Sequence, residues 1–87
     1  MTDIEKIALH YGFNSQARQT IEEMAELTVA LSKMHRKYNK ENLDNIIEEL
    51  ADVQIMIEQM MYLTSSKNDV EQIMEQKIKR QLERMEE

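Results

Sequence analysis

The chain has 87 residues, no cysteine, no proline and one glycine, and its 17 acidic side chains outnumber its 11 lysines and arginines. This length predicts a single domain over residues 1–87 that buries only about 60–65% of its extended surface, so folding needs regular helix packing, a metal or self-association. The acidic balance argues against a nucleic-acid partner, and without a leader pattern or an apolar run near the roughly 20 residues that span a bilayer, we expect a cytoplasmic protein with no membrane partner.

The first predicted element is a short helix near the N-terminus. Thr2 and Glu5 have the spacing of a capping box, in which each side chain bonds the backbone of the other residue. Gly12 is the only residue suited to a left-handed helix end, so this helix should stop near Tyr11. The pattern predicts helix 1 from Thr2 to about Tyr11.

Two long helices should follow. Asn14 or Ser15 is expected to cap helix 2, which runs to about Tyr38. Polar residues 39–42 form the predicted turn, and helix 3 covers about 42–63. A short turn between two long helices indicates an antiparallel helical hairpin.

A fourth helix is predicted after the polar turn at residues 64–68. Its cap is either Ser66 with Asp69 or Asn68 with Glu71. Its apolar residues recur at helical spacing: Val70, Ile73, Met74, Ile78, Leu82 and Met85. The sequence therefore predicts an all-α fold with four helices per chain.

Helix 3 differs from the others because it is apolar around most of its circumference. These residues are Leu50, Ala51, Val53, Ile55, Met56, Ile57, Met60, Met61 and Leu63. Such a helix is buried on more than one side, and one short chain offers few partners for it. We therefore expect a homodimer or homotetramer in which the hairpin forms a four-helix-bundle core. The eight methionines fit such an interior as packing residues without a cofactor role.

Two carboxylate pairs, Glu23/Glu26 on helix 2 and Glu49/Asp52 on helix 3, have the i, i+3 spacing that places both side chains on one helix face. The spacing alone is not specific, because this acidic chain contains other such pairs. Facing is more selective: at about 100° per residue, Glu49 projects within roughly 20° of Met56, inside the apolar stripe.

A carboxylate in an apolar stripe must be paired, protonated or bound to a metal. Across an antiparallel hairpin, the four carboxylates could converge and need a cation, or Glu23 and Glu49 could pair with lysine or arginine. Oxygen ligands favour Mg²⁺, with Mn²⁺ possible. A di-iron site is not expected, because neither His10 nor His35 follows a glutamate by three residues.

Several motifs together resemble one family, the MazG-like all-alpha nucleoside triphosphate pyrophosphohydrolases, and most closely its short phage-like members. The chain carries Glu-Glu-Met-Ala-Glu-Leu at 22–27 and Glu-Glu-Leu-Ala-Asp-Val at 48–53, which resemble the family's Glu-x-x-Glu and Glu-x-x-Asp. Tyr11-Gly12, Gln16 and the Lys-Ile-Lys-Arg run at 77–80 also match elements of those members. The resemblance covers most of the chain.

The resemblance implies an enzyme that cleaves a nucleoside triphosphate between its α and β phosphates, giving a monophosphate and pyrophosphate. It also implies Mg²⁺ held by Glu23, Glu26, Glu49 and Asp52, in a dimeric or tetrameric helical core. Glu22 or Glu23 is the candidate catalytic base that accepts a proton from the attacking water.

Basic and amide side chains are candidates for binding the substrate. Lys33 follows Glu26 by two helical turns on nearly the same facing. Lys77 and Arg80 lie three residues apart on helix 4, and Gln16 has an amide suited to a base or ribose edge. For each of these residues, plain solvation of a helix surface is the alternative interpretation.

Other functions stay open at this stage. The heptad-like spacing of helix 4 also fits a non-enzymatic oligomeric interaction module or a nucleotide-binding regulator. The same fold would serve a phosphoribosyl-ATP pyrophosphohydrolase. Because the chain has no tryptophan and one phenylalanine, an aromatic pocket for the base would be small, and the preferred base and sugar stay open.

Overall fold

The computed structural model describes residues 1–87 as four α-helices with no strand, which confirms the all-α prediction. Helix α1 spans Asp3–Tyr11, α2 spans Phe13–Arg36, α3 spans Lys40–Leu63 and α4 spans Lys67–Met85. None of the four has the combination of length and apolar character that crossing a bilayer requires.

Helix α1 begins at the predicted capping box. The Thr2 hydroxyl accepts from the backbone N–H of Glu5 at 3.1 Å, and the Glu5 carboxylate accepts from the N–H of Thr2 at 2.9 Å. These two bonds satisfy N–H groups that have no partner inside the helix. The predicted start of helix 1 is confirmed.

Gly12 joins α1 directly to α2. Its φ of 85° and ψ of 169° are accessible to glycine almost alone, and its N–H donates to the Ala8 carbonyl at 2.8 Å. Helix α2 then begins at Phe13 without a side-chain cap. The prediction that Asn14 or Ser15 caps helix 2 is wrong, because Gly12 turns the chain in one residue and leaves no spare segment.

The turn between α2 and α3 lies two residues earlier than predicted, since α2 ends at Arg36 and not at Tyr38. Helix α2 ends at Arg36, and α3 begins at Lys40, where the side chain of Asn39 accepts from the Asn42 N–H at 2.7 Å. The Asn42 amide donates back to the Lys37 carbonyl at 2.8 Å. The predicted start of helix 3 at Asn42 is therefore two residues late, because Asn39 is the capping residue.

The start of α4 has no side-chain cap. Ser66 occupies the position before the helix, but its hydroxyl lies 2.6 Å from that of Thr64 and makes no capping bond. Neither predicted cap, Ser66 with Asp69 or Asn68 with Glu71, is formed. The turn instead contains Ser65 at a φ of 52°, in the left-handed region.

The core lies within the α2–α3 hairpin and beneath α1, which packs on both helices. The buried apolar residues are Ala8, Ala30, Ile46, Val53 and Met56. Two glutamines are buried with them: the Gln16 amide N–H donates to the side-chain oxygen of Gln59 at 2.8 Å, and Gln59 donates to the sulfur of Met56 at 3.7 Å. This core holds α2 and α3 in fixed register.

Helix α4 stands apart from this core. It contacts α3 alone, and every residue from Glu71 to the C-terminus is exposed. The radius of gyration is 15.9 Å, whereas a compact domain of this length has about 12 Å. Apolar side chains also stay exposed on the hairpin, among them Ile21, Met24 and Leu31 on α2 and Ile47, Leu50 and Ile57 on α3.

Candidate metal centre

Three acidic side chains meet across the hairpin. Glu23 on α2 and Glu49 and Asp52 on α3 each offer a carboxylate oxygen, and these three oxygens all lie within 4.8 Å of one another. Glu23 is two helical turns before the buried Ala30, and Glu49 is two turns before the buried Met56. The apolar packing of the two helices therefore brings these carboxylates to the same place, and all three are half-buried.

The cluster contains carboxylate oxygens that have no partner. One oxygen each of Glu23 and Glu49, Oε2 in both, is buried and makes no hydrogen bond. The other oxygen of Glu23 accepts from the side-chain N–H of Gln19 at 2.8 Å. Buried polar atoms are normally satisfied, so these two oxygens mark a place that lacks a positively charged or hydrogen-bonding partner.

No lysine or arginine neutralises the cluster. The ion pairs of the chain are Lys6–Asp3 and Lys40–Asp44, both on exposed surfaces of single helices. The alternative interpretation, in which Glu23 and Glu49 pair with basic residues across the hairpin, does not hold within this chain.

The carboxylates of the cluster repel one another because they carry like charge. Burial raises the pKa of Glu49, and the negative charges of Glu26, Asp52, Glu23 and Glu48 raise it further. Glu26 has the largest effect among the charges, although its side chain is exposed and lies outside the group of three. A divalent cation would relieve the same repulsion.

A cavity of about 330 Å³ opens beside the cluster. It is lined by Ala25, Glu26, Val29, Ala30, Lys33, Asn45 and Glu49. Its volume lies within the range of small-molecule pockets. The fold thus brings Lys33 and Glu26 to one cavity with Glu49, as their shared facing on α2 predicts.

The remaining candidate residues lie elsewhere. Gln16 is buried, and its amide is held by Gln59. Lys77 and Arg80 line a separate cavity of about 240 Å³ whose other walls, Ile73 and Gln76, also belong to α4. Glu22 is exposed on α2 and has no hydrogen bond to the cluster. The roles of these four residues in substrate binding or catalysis stay predictions.

Two residues of the site were missed from the sequence. Gln19 hydrogen bonds to Glu23, and Asn45 lines the cavity beside Glu49. Each lies four residues before the glutamate it accompanies, a spacing that places side chains together on a helix. This i, i+4 spacing could have identified both residues from the sequence.

The donor set fits a hard divalent cation. All the candidate ligands are carboxylate oxygens, and two of these oxygens are buried without a partner. Mg²⁺ and Mn²⁺ prefer such ligands, whereas softer metals favour sulfur or imidazole, and the cluster has neither. Comparisons of this chain with protein-family models, with curated proteins and with solved structures each find no match.

Proposed function

We propose that this chain is a metal-dependent nucleoside triphosphate pyrophosphohydrolase, which cleaves its substrate between the α and β phosphates to give a monophosphate and pyrophosphate. The observation that carries the proposal is the convergence of Glu23, Glu49 and Asp52, with two buried oxygens left unpartnered. The acidic motifs that contain these residues are also those on which the resemblance to the MazG-like enzymes rests.

Glu23, Glu49 and Asp52 would hold the cation, which we take to be Mg²⁺ with Mn²⁺ as a substitute. Glu26 is the fourth predicted ligand, and its position at the rim of the adjoining cavity would let it complete the set on the substrate side. A bound divalent ion supplies neutralisation of phosphate charge and activation of a water molecule.

Lys33 would bind phosphate oxygens in the adjoining cavity. It shares that cavity with Glu26 and Glu49, so a phosphate there would lie between a lysine ammonium and the acidic cluster. Without a cation the carboxylates would repel the phosphate, so the site predicts substrate binding that depends strictly on metal.

A carboxylate is also needed to take a proton from the attacking water. The Gln19 amide donates to one oxygen of Glu23, and the second oxygen of Glu23 has no hydrogen-bond partner. This hydrogen bond would orient the second oxygen toward the site. Glu22, one residue earlier and exposed, is the second candidate base. In the reaction, water oxygen bonds to the α phosphorus, the bond from that phosphorus to the bridging oxygen breaks, and pyrophosphate leaves.

The test is a pyrophosphate-release assay over a panel of ribo- and deoxyribonucleoside triphosphates and phosphoribosyl-ATP, with Mg²⁺, with Mn²⁺ and with a chelator. We expect metal-dependent release with at least one triphosphate. Glu49→Gln should abolish it, whereas Glu41→Gln, an equal charge change in the exposed first turn of α3, should retain it. Turnover of wild-type size in Glu49→Gln would refute the assigned site.

One observation favours a second function, that of a non-enzymatic helical interaction module. The apolar residues of α4 from Ile73 to Met85 are exposed, and only the half-buried Val70 near the start of the helix is partly covered. Such a module predicts no thermal stabilisation by Mg²⁺ or Mn²⁺, whereas the enzyme predicts a rise in melting temperature. The exposed apolar residues of α2, α3 and α4 are also the reason we expect a homodimer or homotetramer in either case.

A further inference from the structure

The largest cavity of the chain lies away from the acidic cluster, between α1, the end of α3 and the start of α4. Its volume is about 450 Å³, against about 330 Å³ for the cavity beside Glu49, and no residue lines both. Glu58, which lines the larger cavity, is nine residues beyond Glu49, a rise of about 14 Å along α3. The larger cavity is therefore a separate place of the size of a small-molecule site.

The floor of this cavity is apolar. It is formed by Ile4 of α1 and by Met61 and Tyr62 of α3, and all three side chains are half-buried. Cavities lined by apolar and aromatic side chains with a few polar groups are typical of sites for small organic molecules. The floor favours an occupant with an apolar body.

Two carboxylates line one side of the cavity. Glu5 of α1 and Glu58 of α3 are both half-buried. One oxygen of Glu5 accepts from the backbone N–H of Thr2 at 2.9 Å, and one oxygen of Glu58 accepts from the Gln54 amide at 3.3 Å. Neither glutamate belongs to an ion pair of the chain. Each therefore has an oxygen to offer an ammonium group, whose three N–H donors can serve two carboxylates.

The opposite rim of the cavity belongs to the turn before α4 and to its first residues. Lys67 lies there, and its ammonium forms no ion pair although two carboxylates line the same cavity. Ser65 and Asn68 add a hydroxyl and an amide to this rim. A lysine ammonium with two neutral donors is a set of groups suited to a carboxylate.

The cavity separates two helices that do not touch each other. Helices α1 and α4 both pack on α3 but have no contact between them. Glu5 stands on the α1 side of the gap, and Lys67 stands on the α4 side. A ligand that is only an anion or only a cation would meet one group of like charge. A ligand that carries both charges would instead be attracted on both sides.

We propose that this cavity binds a small zwitterion with an apolar side chain, which is the chemistry of a free α-amino acid. The two glutamates hold its ammonium, the rim at the start of α4 holds its carboxylate, and its side chain lies on the apolar floor. The site shares no residue with the acidic cluster and needs no metal, so it goes beyond the proposed function. The bound ligand would also tie the start of α4 to α1.

The first test is calorimetric titration of the full chain in a chelator with L-leucine, L-methionine and L-phenylalanine. We expect saturable 1:1 binding of at least one of them at concentrations up to about 10 mM. For phenylalanine, the matched probes are phenethylamine, which lacks the carboxylate, 3-phenylpropionate, which lacks the ammonium, and glycine, which lacks the apolar body. Each should bind at least about tenfold more weakly, because each loses one group of contacts. Binding of none of the three amino acids, or equal binding of the matched probes, would overturn the proposal.

Variants of equal charge change test the assigned residues. Glu58→Gln and Lys67→Gln each remove one charge from the cavity, and Glu5→Gln does so while keeping a residue that can complete the capping box. Each should weaken binding about tenfold. The controls Glu75→Gln and Lys79→Gln make the same changes on the exposed part of α4 and should bind like wild type. Wild-type affinity in the three cavity variants would show that the ligand binds elsewhere.

Hydrogen exchange locates the bound ligand without any assay of activity. The amino acid that binds should slow amide exchange at residues 2–6 and 64–70, because it joins the two sides of the gap. Protection confined to residues 23–33 would place the ligand at the other cavity and would overturn the assignment. Neither outcome depends on pyrophosphate release, so this proposal and the proposed function fail separately.

Discussion

The buried hydrogen bond between Gln16 and Gln59 leads to a quantitative prediction about stability. Gln59 is 2% exposed and Gln16 is 6% exposed, and the donor and acceptor atoms are 2.8 Å apart. Gln59→Met keeps nearly the same shape but removes the acceptor, which leaves a buried N–H of Gln16 without a partner. Such an orphaned group costs about 1–3 kcal/mol.

The same magnitude can be expressed as a melting temperature. For a domain of 60–100 residues, each kcal/mol shifts the melting temperature by roughly 4–8 °C, so Gln59→Met should lower it by about 4–24 °C. The assay is thermal and urea unfolding at fixed protein concentration in a chelator. Gln16→Met, which orphans the Gln59 oxygen, should behave similarly.

The double variant Gln16→Met/Gln59→Met provides the decisive comparison. It removes both halves of the bond and orphans neither, so its loss of stability should be well below the sum of the two single losses. Additive losses, or single variants as stable as wild type, would refute this account of the pair. A higher KM for Gln16→Met at unchanged stability would instead support its predicted role in substrate binding.

Three further predictions concern the metal, the pH and the turn after α1. Addition of Mg²⁺ or Mn²⁺ at 100 times its dissociation constant should stabilise the fold by about 2.7 kcal/mol, as measured by urea unfolding, and this gain should vanish in Glu49→Gln but persist in Glu41→Gln. Burial, and then the charge of Glu26, raise the pKa of Glu49 in the folded state. The folded protein therefore binds this proton more tightly than the unfolded chain does, and metal-free stability should rise as the pH falls from neutral toward the ordinary pKa of 4.5. If the unfolding free energies of wild type and Glu49→Gln changed with pH to the same extent, Glu49 would not be the cause. Gly12→Ala should cost about 1–3 kcal/mol through its backbone conformation alone, because open space surrounds the position of the added Cβ; an unfolding free energy equal to wild type would exclude this cost.

The helices were predictable because their signals are local. The capping box at Thr2 and the lone glycine at position 12 fix the ends of α1, and no proline interrupts the rest. The starts of α2 and α3 were misplaced because several polar residues in a row could each cap a helix. Which one does so, Asn39 in preference to Asn42, depends on how the preceding helix ends.

The candidate site was partly predictable for a related reason. Helical facing alone indicated that Glu23 and Glu49 point toward the interior, and their convergence with Asp52 follows from antiparallel packing. The partner of Gln16 could not be predicted, since Gln59 lies 43 residues away along the chain and only packing brings the two together. Periodicity also gave the apolar stripe of α4 but could not say whether its own chain covers it.

The uneven burial of the methionines means that their rates of oxidation report which surfaces of the chain are covered. Met74 and Met85 on α4 are 53% and 71% exposed, whereas Met56 in the core is 5% exposed. Peroxide converts an accessible thioether to a polar sulfoxide, so the two α4 methionines should oxidise well before Met56 in any form of the protein that leaves α4 bare. Oxidation of Met74 and Met85 would also make the apolar face of α4 polar. That face would then no longer favour packing against another protein surface.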